Sequence, residues 1–331
     1  MSAGLSRSTY YVLAFIVLAV VFWLWPNAAG KFIKIDPLFP GQEPLLRGVL
    51  TQPVTLRYAF TPKGPQRRSL EVHLVAYAGK EPGAKGPSDE KKPLAQQRIA
   101  VEFEYALNAC DAKVLCDLRL IVKRVRAGGH SGNHYDSNSK TVQTQLAPLT
   151  YNALIDTPIP VRVHALGKVE SIDIKAVKDK LGKLATPPVM GLLNSLVQSL
   201  TNDLFIVFPE KPISLNETFE SSELSTPFAD LGVLKISRKY TLKGVSEDGG
   251  QVLLRTEMSA RLVTATGTVK NPQGYVITLE GAKTKGWVLY GIKTQDILRS
   301  ATDIEFSFSV ANDKERLSQM SHFKALYRRD P

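Results

Sequence analysis

The sequence predicts a mainly β protein of the α+β class, with curved antiparallel sheets, half-barrel-like, packed around one long central helix and preceded by an N-terminal transmembrane or signal helix. Three observations carry this. Apolar and polar residues alternate with period two in stretch after stretch, as in half-buried strands. One segment, TPPVMGLLNSLVQSLTNDLFIVFP from Thr186 to Pro209, repeats apolar residues at helical spacing. Near the amino terminus, YYVLAFIVLAVVFWLW from Tyr10 to Trp25 contains no charged residue.

The apolar run would span about 24 Å as a helix, close to a hydrocarbon core of about 30 Å. Tyr10 and Tyr11 at one end and Trp23 and Trp25 at the other suit the two membrane interfaces. Residues 1–30 therefore read as a membrane anchor, with cleavage after Gly30 as the competing outcome, because Ala28 and Gly30 have the small-residue spacing of a signal-peptidase site. Both outcomes carry the body across a membrane, as a single-pass protein of a bacterial inner membrane facing the periplasm or as a periplasmic protein.

Residues 31–53 are rich in Pro and Gly and read as an extended stalk. A first β region, residues 54–150, opens with the alternating Val54, Leu56, Tyr58 and Phe60 and continues through Leu70 to Ala76, Ile99 to Tyr105 and Leu118 to Val125. Gly79 to Pro93 and Ala127 to Lys140 read as polar loops. Cys110 and Cys116 flank the turn between two strands, and an even cysteine count in an exported chain favours a disulfide.

The second region, residues 151–331, holds a strand pair turned at Gly167 and a short helix over 176–184. Next comes the main helix, 187–204, capped by Thr186 and opened by Pro187 and Pro188. Asn194, Gln198, Thr201 and Asn202 fall off its apolar stripe. Beyond Pro212 the chain reads as strands to its end, with turns expected at Gly249-Gly250, Asn271 to Gly274 and Gly281 to Lys285.

From Val161 to Val310 the order of features runs VRVHALGKVESIDI, a Leu-rich helix ending LFIVFPEKPISLNETFE, then KYTLKGVSEDGGQVLLRTEMSARL and GWVLYGIKTQDILRSATDIEFSFSV. This order is similar to that of a broad group of uncharacterised bacterial envelope proteins and lipoproteins, and resembles the half-barrel periplasmic carriers of lipoproteins. The resemblance implies a curved antiparallel sheet with a helix on its concave face and, in some members, an apolar cavity for an acyl chain. It assigns no catalytic residue. The lipid-bearing cysteine of the lipoproteins is missing here, which leaves attachment to the N-terminal helix.

The chain carries 42 Lys and Arg against 31 Asp and Glu, a formal charge of +11. That excess suits an anionic partner, but it is scattered, with clusters only at Lys123 to Arg126 and Tyr327 to Arg329. No recognition helix or RNA-binding aromatic motif accompanies it, so nucleic acid is not an expected partner. His130, His134 and Asp136 form H-x3-H-x-D, a weak metal candidate in a glycine-rich loop whose spacing fixes no geometry. Ser137 to Lys140 spells S-x-x-K without its companion motifs. No G-x-S-x-G, phosphate loop or H-E-x-x-H occurs, so neither an enzyme nor a cofactor is expected. Asn216-Glu217-Thr218 spells a glycosylation sequon and reads as a structural turn.

Val189, Leu193, Leu196, Val197 and Leu200 read as ordinary core or, in the sharper version, as the lining of a pocket for a lipid. The expected function is a membrane-anchored extracytoplasmic binding or assembly module whose ligand is a lipid or another envelope protein. A structural subunit of an envelope complex is one alternative, and a hydrolase or metal-binding protein using the His130 loop is the other.

Overall fold

A computed structural model describes residues 43–60, 64–78, 93–111, 114–129, 134–139, 146–221, 224–227, 233–263, 269–270, 276–311 and 316–329. The anchor segment Tyr10 to Trp25, the cleavage position at Gly30, His130 and the turn expected at Asn271 to Gly274 lie outside them. Among the described residues no helix is long and apolar enough to cross a membrane.

Among the described residues one antiparallel sheet of 14 strands dominates. Strands β1 (Gln66–Ala78), β2 (Pro93–Cys110) and β3 (Leu115–Gly129) form a meander, with the short β4 (His134–Asp136) on β3. Helix α1 (Leu146–Leu154) leads to the hairpin β5 (Pro158–His164) and β6 (Val169–Ile172), which extends the meander beyond β3. Helices α2 (Lys175–Leu181) and α3 (Pro187–Leu204) follow, separated by a single 3-10 turn. The chain then runs through β7 (Thr218–Glu220), β8 (Leu224–Pro227), β9 (Val233–Val245), β10 (Gln251–Val263), β11 (Val269–Lys270), β12 (Val276–Gly291), β13 (Asp296–Ala311) and β14 (Arg316–Arg329). β14 pairs with β1 from Arg68↔Arg329 to Ala78↔Gln319, so the last strand of the chain joins the first. The sheet ends at β6 and β7 and is open, not a closed barrel.

The strands follow the alternation seen in the sequence. β3 alternates buried and exposed residues until Lys123 and Arg124, where a bulge in the β2 pairing shifts the phase and Val125 returns to the core. The basic run Lys123 to Arg126 is answered by acids: Lys123 by Asp156 at 2.9 Å, Arg124 by Asp136 at 2.5 Å and Arg126 by Glu102 at 3.2 Å. Cys110 and Cys116 are direct cross-strand partners and are joined by a disulfide.

Several expectations need correction. Instead of one long central helix there are three short ones among the described residues, the longest of 18 residues. A sheet this wide cannot be filled by a single helical stripe. Its core also takes Leu56 and Tyr58 from one coil and Phe205, Ile206 and Phe208 from another. The alternation over residues 54–60 is real, but the segment is not a strand. Only Val54 forms a bridge, to Ile213, while the Tyr58 and Ala59 N–H groups donate to Ala165 and Gln295 carbonyls. Gly281 to Lys285 is no turn: it lies within β12, where Gly281 marks a bulge against β13. Helix α1 has no counterpart among the elements expected from the sequence. Thr201 is buried, its hydroxyl donating to its own helix at the Val197 carbonyl, 3.1 Å away.

Aromatic rings tie the coil after α3 to strands on both sides of the β1–β14 seam. Phe205 meets Tyr105 of β2, and Phe208 meets Tyr290 of β12 and Phe219 of β7. Residues of β5 and β9 share this core cluster, so the sheet curls around it. Gly167, at φ 89°, turns the β5–β6 hairpin beneath the Ile206 carbonyl; a Cβ there would lie 2.0 Å from that oxygen.

A buried ion pair sits at the seam where β1 meets β14 and the start of β13. Arg68 of β1 and Asp296 at the start of β13 are 1% and 7% exposed and in direct contact. Tyr105 accepts from Arg68 at 3.1 Å, and Arg329 of β14 reaches the same Asp296 oxygen at 3.3 Å. Burial raises the Asp296 carboxyl above its ordinary range, with Arg68 and Arg329 opposing that shift. Burial draws the Arg68 guanidinium down, but Tyr327, Tyr105 and Asp296 outweigh it and hold the group above its ordinary value.

Asp296→Ala would leave Arg68 buried without its counter-charge and should cost about 3–5 kcal/mol in a urea unfolding titration. Replacing both with apolar residues of similar volume should recover most of that loss. On the other face of β1, buried His73 contacts Gln96 at 2.9 Å. Burial, then Arg98 and Lys324, lower its pKa from the ordinary 6.5. The folded state then binds fewer protons than the unfolded chain, so this contribution is full above about pH 6.5 and is lost as pH falls through the depressed folded value. Thermal unfolding at pH 8 and pH 5 should show a drop on acidification that His73→Gln reduces.

Candidate functional site

A cleft borders the predicted helix between β6 and α3, with a volume of about 300 Å³. β6 and the residues just after it contribute Val169, Glu170, Ser171, Ile172 and Ile174; α3 contributes Asn194, Val197 and Gln198. The helix is placed by its apolar stripe. Val189, Leu193 and Leu200 are 0% exposed and Val197 1%, all within the main core. Leu196 is half-buried against the same cluster, and of the five only Val197 also borders the cleft. Asn194 and Gln198, one turn apart on the polar side, face the opening.

β6 supplies the other wall. It pairs with β5 through Val161↔Ile172 and Arg162↔Ser171, and the Asp173 N–H donates to the Pro160 carbonyl. Hydrogen bonding alternates along an antiparallel strand, so Asp173 uses its backbone toward β5 while Ile172 directs its N–H and C=O away from that partner. Among the described residues no strand takes that free edge. Glu170 is the charged group of the cleft lining, and Lys168 lies 2.9 Å from it. The lining combines branched aliphatic side chains, two carboxamides, a hydroxyl and an open β edge. Such a surface can hold an extended backbone by ladder hydrogen bonds while its side chains are sorted by shallow apolar contacts.

The metal candidates fare unequally. His134 pairs with Gly128 as the first residue of β4, two residues before Asp136. The Asp136 carboxylate is engaged by Arg124 at 3.0 Å and 2.5 Å and also accepts the Asn138 N–H. Arg124, helped by the Asn138 N–H, outweighs the opposing effect of burial and holds that carboxyl below its ordinary value. Among the described residues no group of three or more His, Cys, Asp or Glu is placed to hold a metal ion. The sequon residue Asn216 adopts φ 65° in the tight turn before β7, where its N–H donates to the Leu242 carbonyl.

The sequence suggests an apolar pocket along the stripe that includes Val197, and places Asn194 and Gln198 off it; the cleft that forms keeps Val197 but takes its polar side from those two residues and β6. The missing information was that β6 would end the sheet. Leu193→Ala should cost about 2–5 kcal/mol in denaturant unfolding, because it empties filled core. Gln198→Ala, on the cleft wall, should change stability by no more than about 0.5 kcal/mol.

No protein-family model matches the chain, and no curated protein matches it. Among solved structures, it overlaps a candidate exported protein with a YmcC-like fold from Bacteroides fragilis at 10% identity and a TM-score of 0.24, over 83% of this chain and 99% of that one. A BenF-like porin from Pseudomonas fluorescens overlaps at 6% identity and a TM-score of 0.18, covering 82% of this chain and 100% of the porin. Overlaps this slight transfer neither fold nor activity.

Proposed function

We propose that the chain is a membrane-anchored extracytoplasmic binding or assembly module that takes an extended segment of another envelope protein between β6 and α3. The observation that carries the binding mode is the free edge at Ile172 beside the cleft. The cleft's mixture of carboxamide, carboxylate and aliphatic groups suits a peptide better than an acyl chain, for which a closed apolar cavity would be needed. The tight burial of Val189, Leu193 and Leu200 points the same way. The apolar run Tyr10 to Trp25 and the bonded Cys110–Cys116 pair support an address beyond a membrane, where disulfides persist.

A photo-cross-linking residue at Gln198 in the full chain, expressed in its native membrane, should yield one discrete protein adduct. Asn194→Trp fills the cleft from an exposed position and should abolish that adduct without lowering the unfolding temperature. No adduct, or one indifferent to the tryptophan, would remove the cleft as the binding surface. Alkylation before cell lysis, followed by a non-reducing gel, should find Cys110 and Cys116 oxidised; recovery of both as free thiols would remove the extracytoplasmic reading.

A further inference from the structure

We propose that Arg299 and Arg328 form a phosphate-binding site on the outer face of the sheet. The two arginines are direct partners across β13 and β14, and Ser69 of β1 is the next partner beyond Arg328. They project from the face opposite the main core, beside the small apolar cluster of Leu253, Trp287, Ala301 and Leu326. The Arg299 guanidinium carbon lies 5.5 Å from the centre of the buried Trp287 ring, a cation–π contact that holds the side chain against the sheet.

Like charges directly opposite each other on a sheet are destabilising unless something answers them. Where Arg68 faces Arg329 across β1 and β14, Asp296 contacts both. Arg299 and Arg328 have no ion-pair partner among the described residues. The acids in nearby rows are engaged already, Glu71 by Arg98, Glu102 by Arg126 and Asp296 by Arg68. The Arg299 Nε is buried without a hydrogen-bond partner. Burial, then the neighbouring Arg328, pull the Arg299 pKa down, as expected of a positive charge lacking its counter-ion.

The donor set selects the ligand. Two planar forks supply up to ten N–H donors, and the adjacent Ser69 hydroxyl supplies one more. A phosphate group offers three or more oxygens on a tetrahedral frame and up to two negative charges, so it can accept from both forks and the hydroxyl together and balance both guanidinium charges, whereas a carboxylate brings two oxygens in one plane and a single charge. The same chemistry is presented by free phosphate and by the headgroup of an acidic phospholipid. The site lies on the opposite face from the β6–α3 cleft and stands independently of the peptide reading.

The test uses the full-length chain in nonionic detergent micelles with two probes: inorganic phosphate followed by calorimetry, and micelles doped with phosphatidic acid followed by native mass spectrometry. The wild type should bind at least one. Arg299→Gln with Arg328→Gln should weaken that binding about tenfold or more, from the loss of charge-assisted hydrogen bonds, without lowering the unfolding temperature. Arg328→Gln alone, at the exposed member, should weaken it less and serves if the double variant misfolds. Binding of phosphate identifies the free anion as a sufficient ligand; binding of the doped micelle alone identifies the headgroup. Failure to bind either probe, or equal binding by wild type and variants, overturns the site.

Discussion

The contact on which the architecture depends is the buried pairing of Arg68 with Asp296. Arg68 belongs to β1 and Asp296 is the first residue of β13, so the pair joins parts of the chain separated by 228 positions. The β1–β14 ladder closes the same seam in the plane of the sheet. Two charges this deep need more than each other, and Tyr105 and Arg329 supply further hydrogen bonds to the cluster. A buried pair of this kind adds little stability against an apolar replacement. Its value here is positional: a shifted β1–β14 register would separate the charges and leave both unpaired in the core.

With the seam held, the sheet must curl, because its inner face is apolar from β5 to β9 and too wide for a flat layer of helices. The helices fill one part. Coils fill the rest with aromatic rings, Tyr58 stacking on Phe60 and Phe208 while Phe205 meets it edge-on. Curling leaves the outer face convex and largely polar. Several charged residues pair across strands, such as Arg98 with Glu71 and Lys324 with Asp303, whereas Arg299 and Arg328 face each other with no acid between them. It also leaves β6 as a short terminal strand beside α3, so the proposed peptide cleft is a consequence of where the sheet stops.

Much of this was legible in the chain. Period-two alternation located β1, β2 and β3 because each of these strands buries one face. The cysteines faced each other as their spacing across a turn implied. The stripe from Val189 to Leu204 marked α3, since Leu and Val recurring every three to four residues over five turns lie along one side of a helix and scatter over both faces of a strand. Errors arose where local pattern has two meanings. Val54 to Phe60 alternates as a strand does, yet its backbone partners are scattered carbonyls. Gly281 signalled a turn and turned out to mark a bulge, a distinction that rests on the partner strand. Helix α1 lacks a clear stripe, and its burial comes from contact with α2, α3 and β3.

The residues alone determined the β character, the apolar N-terminal run, the cysteine pair and the positive balance, because each is a property of composition or of neighbours within a few positions. Only the tertiary structure decided that β14 would join β1, that Arg68 would meet Asp296, that β6 would keep a free edge and that one of two basic clusters would be neutralised while the other retained an unpaired arginine. Those outcomes depend on which distant segments become adjacent. No periodicity encodes that; the shared burial of apolar faces selects it.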